Sequence, residues 1–282
     1  MLRKIIKIGT PIILLGTVIL ISFNYYKKAQ KTSISPITVI PNNAALIFQL
    51  NDARSLSRKL KIREIWVKLQ DLSFIKETNK NIEKISNFFS SNQETFKKKS
   101  LYISYHKVGA NKTATLISTN FILRNDQENS DIIALFNNSI STSEYDNQTV
   151  YYAKKINLYF CIKDDILFFS ENKMLLTDAI RTSNKLTDNL FVNKQFANSY
   201  KTINNTADIN LMINYNNLFD FASTFINKEI NLDNFSEWTA TDINLKDKAI
   251  LVNGFNSSTN SINNYTDIIN EQKAYDINII DI

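Results

Sequence analysis

Ala44-Ala45-Leu46-Ile47-Phe48-Gln49-Leu50-Asn51-Asp52 reads as a β-strand that runs into a helix cap. Leu46, Phe48 and Leu50 recur at the two-residue period of a strand, and the Asn51 and Asp52 side chains suit the start of a following helix. The same grammar returns later in the chain. There Ile209, Leu211, Ile213 and Tyr215 alternate, Asn216-Asn217 follow, and Leu218, Phe219, Phe221, Ala222 and Phe225 make one helical face. Each copy is followed by a hairpin. In the first, Leu101, Ile103 and Tyr105 alternate against Tyr102, Ser104 and His106, and Gly109-Ala110-Asn111 turns the chain into a strand over 113–123. In the second, residues 238–245 and 249–255 flank Asp247. This pattern predicts an α+β fold: a mainly antiparallel sheet packed with helices, built from a degenerate repeat of strand, helix and hairpin.

Between these landmarks, Leu56, Leu60, Ile65, Trp66 and Leu69 continue at helical spacing in two short pieces. A longer helix starts at Ser73 and carries Phe74, Ile75, Thr78, Ile82, Ile85 and Phe89 along one stripe. A short helix is expected over 131–136, then strands over 149–154, 157–163 and 166–170, with Lys163-Asp164-Asp165 as the last turn. Leu175, Leu176, Ala179 and Ile180 outline a helix directly after them. Ahead of the first strand, Pro36 and Pro41 favour extended backbone, so residues 32–43 read as a linker and 44–282 as the domain, with internal halves 44–204 and 205–282.

The chain opens on an uncharged apolar run from Ile8 to Tyr26, held between Arg3, Lys4 and Lys7 on one side and Lys27, Lys28 and Lys31 on the other. As a helix it spans roughly 28 Å, close to the ~30 Å hydrocarbon core of a bilayer. Ile8, Ile12, Leu15, Val18 and Ile21 are its apolar body, and Tyr25 and Tyr26 suit the interfacial aromatic belt. The run ends in bulky residues rather than at a small-residue cleavage site, and the chain's one cysteine, Cys161, is too distant to carry a lipid. Residues 1–31 are therefore expected to be an uncleaved anchor. The charges flanking the span balance, and the N-terminal amine tips the count toward a cytoplasmic N-terminus.

The formal charge of +6 belongs to this anchor. Residues 1–31 carry six Lys or Arg and no Asp or Glu, which leaves 27 basic against 27 acidic side chains in the rest. A nucleic-acid binder needs a standing excess of positive charge, so no nucleic-acid partner is expected. The cluster Arg54, Arg58, Lys59, Lys61 and Arg63 reads as the solvated face of a helix near the bilayer. Only Gly109 and Gly254 lie beyond the span, too few for a dinucleotide fingerprint or a phosphate-cradling loop.

Several segments resemble a bacterial family known as domain of unknown function 3352, in its membrane-anchored, Gram-negative form. The likeness is carried by Pro41-Asn42-Asn43-Ala44-Ala45-Leu46-Ile47-Phe48, the Ile65-Trp66 helix, and Leu101-Tyr102-Ile103-Ser104. It extends to Asp165-Ile166-Leu167-Phe168-Phe169-Ser170 before Asp178-Ala179-Ile180, and to Ile213-Asn214-Tyr215-Asn216-Asn217-Leu218. Members of this type are commonly about twice as long and carry a second module, so the likeness covers the first module only. It implies a protein of the bacterial inner membrane with its body in the periplasm, and it transfers no active site.

The candidate chemistry is sparse. His106, the one histidine, shares a strand face with Ser100, Tyr102 and Ser104 and is expected to face solvent; a general base would need an orienting partner, which the sequence does not identify, and no catalytic role is expected. Cys161, on a face with Asn157, Tyr159 and Lys163, reads as a structural thiol. Asp164-Asp165 and Asp247 are explained by turns. One histidine and one cysteine cannot build a His/Cys metal cluster, no calcium loop is present, and no cofactor is expected. Tyr102, Tyr105, Tyr151, Tyr152 and Tyr159 fall on neighbouring strands and offer a binding face for an envelope protein partner. The expected protein is thus a single-pass, non-enzymatic binding or scaffold module. The rival readings are an envelope hydrolase using non-adjacent carboxylates and a carrier of apolar ligands.

Overall fold

The structure, a computed structural model, describes residues 34–52, 76, 80, 100–121, 140–225, 236–246 and 249–257. The span at 8–26 and the helices expected over 56–69, 73–89 and 131–136 lie outside them, save that Lys76 and Lys80 are helical. Among the described residues no helix is long and apolar enough to cross a membrane. The chain divides into two units, Met1–Ile34 and Ser35–Ile282, and the second holds the elements that follow.

Among the described residues, ten strands make one antiparallel sheet: β1 (Leu46–Leu50), β2 (Leu101–Lys107), β3 (Thr113–Asn120), β4 (Ile140–Tyr145), β5 (Gln148–Ala153), β6 (Leu158–Lys163), β7 (Ile166–Ser170), β8 (Ile209–Asn214), β9 (Trp238–Leu245) and β10 (Ile250–Ser257). Their order is β10-β9-β8-β1-β2-β3-β7-β6-β5-β4. Both strands singled out for their asparagine endings therefore pair with each other, Phe48 opposite Leu211. The hairpin β2–β3 continues the sheet on the β1 side and β9–β10 on the β8 side. The α+β class and the dominant antiparallel sheet are as the alternation predicts.

Three helices are described, α1 (Lys173–Asn184), α2 (Lys194–Tyr200) and α3 (Tyr215–Ala222). The four apolar residues that outline α1, Leu175, Leu176, Ala179 and Ile180, are completely buried against one sheet face. Each such leucine or isoleucine contributes about 1.5–3 kcal/mol by leaving water. Asn172 Oδ1 accepts from the Leu175 amide at 3.1 Å, capping the N-terminus. At the other end, Lys163 reaches from β6 and donates through Nζ to the Ser183 carbonyl at 2.9 Å, where a cation also meets the negative end of the helix dipole. Asn172→Ala is expected to cost about 1 kcal/mol, seen as a lower urea midpoint with an unchanged slope. An unmoved midpoint would mean that the cap carries no weight.

Apolar clusters line both faces of the sheet. Ile47, Leu116, Cys161, Phe168, Met212 and Trp238 belong to the first, with α1 and α2, and Ile103, Tyr105, Ile117, Phe160, Phe169 and Phe221 to the second. Every residue of β7 is buried, as expected of a strand covered on both sides.

Two boundaries differ from the sequence reading. Pro36–Val39 is a 3-10 turn rather than part of an extended linker, and Ile37, Val39 and Ile40 are buried in the first cluster. Pro36 sits at the start of that turn, where its fixed φ fits and its missing N–H costs nothing. Ser118 Oγ donates to the Pro36 carbonyl at 2.9 Å and ties the turn to β3. The body thus begins at Ser35. The second difference is β4, whose Ser141-Thr142-Ser143-Glu144-Tyr145 is exposed and lacks an apolar alternation. Its partner β5 holds it through Asp146 and Asn147, both at positive φ, a two-residue turn matched to hairpin twist. Asp164 and Asp165 make the same kind of turn between β6 and β7, as expected.

Candidate functional site

Residues two apart on a strand share a face, so Tyr102, Ser104 and His106 point together from β2. The pairing of β1 with β2, extended by a hydrogen bond from the Ala45 amide to the Tyr105 carbonyl at 2.9 Å, brings Asn43 beside them. Ser104 Oγ lies 2.8 Å from His106 Nε2, and His106 Nδ1 lies 2.8 Å from Asn43 Oδ1. An amide oxygen only accepts, so Nδ1 carries the proton and Nε2 accepts from the Ser104 hydroxyl.

A hydroxyl, an imidazole and an orienting oxygen in line are the parts of an activated nucleophile. Here both working members have no exposed surface: Ser104 and His106 are each 0% accessible. On its other side the serine oxygen meets the Leu116 carbonyl at 3.5 Å. No acyl group can reach that oxygen without displacing what packs over this face of β2, the Pro36–Val39 turn included. Burial also pushes the His106 pKa down to about 3, so the ring is neutral over the physiological range. The expectation of a solvent-facing histidine is overturned, and Asn43 is the orienting partner that the sequence does not identify. Its strand face, polar in sequence, lies under the Pro36–Val39 turn, where the buried Ser104 and the exposed Asn43 satisfy the two ring nitrogens. The spacing of Ser104 and His106 was a readable signal; Asn43 was not, because its contact depends on the β1–β2 register.

Cys161 is fully buried, and burial pushes its thiol up to about 12, which leaves it an inert core residue. Tyr102 is raised above the usual tyrosine range, by burial first and then by Tyr200, whose hydroxyl lies 3.3 Å away.

The five tyrosines do not share a face. Cross-strand register puts Tyr102, Tyr152 and Tyr159 on the side of α1, and Tyr105 and Tyr151 on the other. Tyr102, Tyr105 and Tyr151 are buried, Tyr105 against Phe48 and Phe221 and Tyr151 stacked on Phe160 at 4.8 Å. Only the stacked pair Tyr152 and Tyr159, 4.6 Å apart, keeps part of its surface open.

A second polar cluster crosses the same face at the far ends of β1, β8 and β9, where Gln49, Asn210 and Asp242 stand side by side. Gln49 Nε2 donates to Asn51 and Asn205, Asn51 to Asn210, and Asn210 to Asp242 at 2.6 Å. The Asn51, Asn205, Asn210 and Asp242 oxygens each accept from an amide, while Gln49 Oε1 is buried without a partner, so the cluster is mainly a network that ties strand ends together. Among the described residues no three His, Cys, Asp or Glu side chains converge on a metal position.

The outer strand β10 presents the largest contrast. Ile250, Leu251, Val252 and Phe255 are all exposed, and Ile250–Phe255 contains no charged residue. The opposite edge, β4, exposes mainly hydroxyls and a carboxylate.

No family model matches the chain, and no curated protein matches it. Among solved structures it is similar to one titled crystal form I of TP0453, at 11% identity and a TM-score of 0.42, over 85% of this chain and 84% of that one.

Proposed function

We propose that the chain is a single-pass protein of a bacterial inner membrane whose α+β body lies outside the cytoplasm and acts by binding, not by catalysis. The observation that carries the reading is the contrast between its two chemically notable places. In the set with a nucleophile's geometry, Ser104 and His106 are sealed in the core and only the orienting Asn43 reaches the surface, while among the described residues an apolar strand edge at β10 has no strand beyond it. An open main-chain edge binds extended backbone, and flanking side chains select which. The envelope placement rests on the apolar run Ile8–Tyr26 and on the resemblance to the domain of unknown function 3352 family. In the same reading, β1 with β2–β3 and β8 with β9–β10 are two degenerate copies of one unit set back to back.

The anchor is tested on the full chain. Alkaline carbonate is expected to leave it in the membrane pellet, and protease added to spheroplasts is expected to digest the body. Leu15→Lys with Val18→Lys adds about 2.5–3.5 kcal/mol per charge at the helix centre and is expected to move the protein into the soluble fraction. Release of the unaltered chain by carbonate, or a body protected in spheroplasts, would overturn the placement.

A further inference from the structure

Exposed edge strands are ordinarily blunted by a lysine, a proline, a bulge or short length. β10 has eight residues paired without interruption to β9, and neither lysine nor proline. Of the ten exposed large apolar residues among those described, four stand on this strand, Val252 the most open at 57%. Among the described residues, the hydrogen-bonding edge beside them ends the sheet. Its occupant must be an extended strand that tolerates apolar neighbours on both faces.

The order of residues narrows the occupant. About Asn253 the strand is self-complementary: in an antiparallel pairing that sets Asn253 opposite its own counterpart, Leu251 faces Phe255 and Val252 faces Gly254. One face then carries two Leu–Phe pairs flanking an Asn–Asn pair. On the other, the branched Val252 lies over the position where Gly254 has no side chain. Two-fold pairing ordinarily brings like charges together, and this stretch carries none. Pairing β10 to the polar β4 edge would instead be head to tail, an open-ended arrangement that leaves the apolar residues against hydroxyls and Glu144.

We infer that β10 pairs antiparallel with β10 of a second copy, centred on Asn253, so that the two ten-stranded sheets become one across a two-fold axis. This rests on the reading of the body as a binding module and names its partner. The test uses the full chain in its native membrane with the photo-crosslinking residue p-benzoylphenylalanine in place of Val252. A product of twice the monomer mass joining two β10 segments is expected. Asn253→Lys, which sets two lysines opposite each other while placing each beside Asp242 of its own β9, is expected to lower that yield at least tenfold without lowering the melting temperature. A dimer product insensitive to Asn253→Lys overturns the strand pairing. A crosslink confined to one chain, to residues 258–282, overturns the second copy and makes that segment the occupant. A product with a different protein also overturns it, yet leaves the binding reading standing. With no product at all, both fall.

Discussion

Phe168→Ala is expected to remove about 3–5 kcal/mol of stability, a large share of what a domain of this size holds. Phe168 has no exposed surface and sits in the middle strand of the β3-β7-β6 block, opposite Ser118 on one side and Cys161 on the other. Leu175, Leu176 and Ile180 of α1 belong to the same cluster. The cost exceeds simple transfer because the site cannot collapse. β7 is held by ladder hydrogen bonds to both neighbours, so the backbone cannot move into the space, and α1 is capped at both ends by Asn172 and Lys163. Urea unfolding of the full chain in detergent, followed by tryptophan fluorescence, measures the effect. Met174→Ala, on the exposed side of α1, is the control and is expected to change stability by less than about 0.5 kcal/mol. A Phe168→Ala loss below about 1 kcal/mol would mean that the cluster is not the folding core.

The parts of this fold that were legible in sequence are those where one strand face is uniformly apolar or the turn chemistry is local. Leu46, Phe48 and Leu50 reveal β1 because their face alone is uniformly apolar, although they are half-buried and it is Ile47 and Gln49 on the other face that are buried; Asp164-Asp165 announces its turn through residues that tolerate positive φ. β4 was silent because an exposed edge strand has no core face to pattern it, and its only cue is the Asp146-Asn147 turn. The Pro36–Val39 turn was misread for a different reason. Pro36 holds the residue before it extended, but its own fixed φ suits the first position of a turn equally well, and the turn buries Ile37, Val39 and Ile40. The tyrosine set failed as a surface because sequence neighbours such as Tyr151 and Tyr152 occupy opposite faces of a sheet that is covered on both. The β10 edge was readable in composition, as a hairpin strand without charge, but its position at the end of the sheet depends on strand order.

The chain has one histidine, which makes its acid response separable from that of the carboxylates. His106 is held near a pKa of about 3 by desolvation, against about 6.5 in the unfolded chain, and neither Ser104 nor Asn43 brings a negative charge that would offset it. Below pH 6.5 the unfolded state therefore binds a proton that the folded state refuses. Stability is full above that value and falls as the pH drops toward 3, at a slope approaching 1.4 kcal/mol per pH unit, on the order of RT times ln 10 for one proton. Below about 3 the folded state takes up the proton as well and this contribution levels off. His106→Asn retains an amide that can hydrogen-bond in the same interior yet cannot titrate. It is expected to be less stable than the unaltered chain at pH 8, from imperfect hydrogen bonding, but to lose stability more slowly between pH 6 and 4. Carboxylate titration is common to both proteins and cancels in the difference between their melting curves. A difference that stays flat across this window would show that His106 is protonated or solvated in the native state, and the Ser104–His106 pair would then have to be regarded as an accessible site after all.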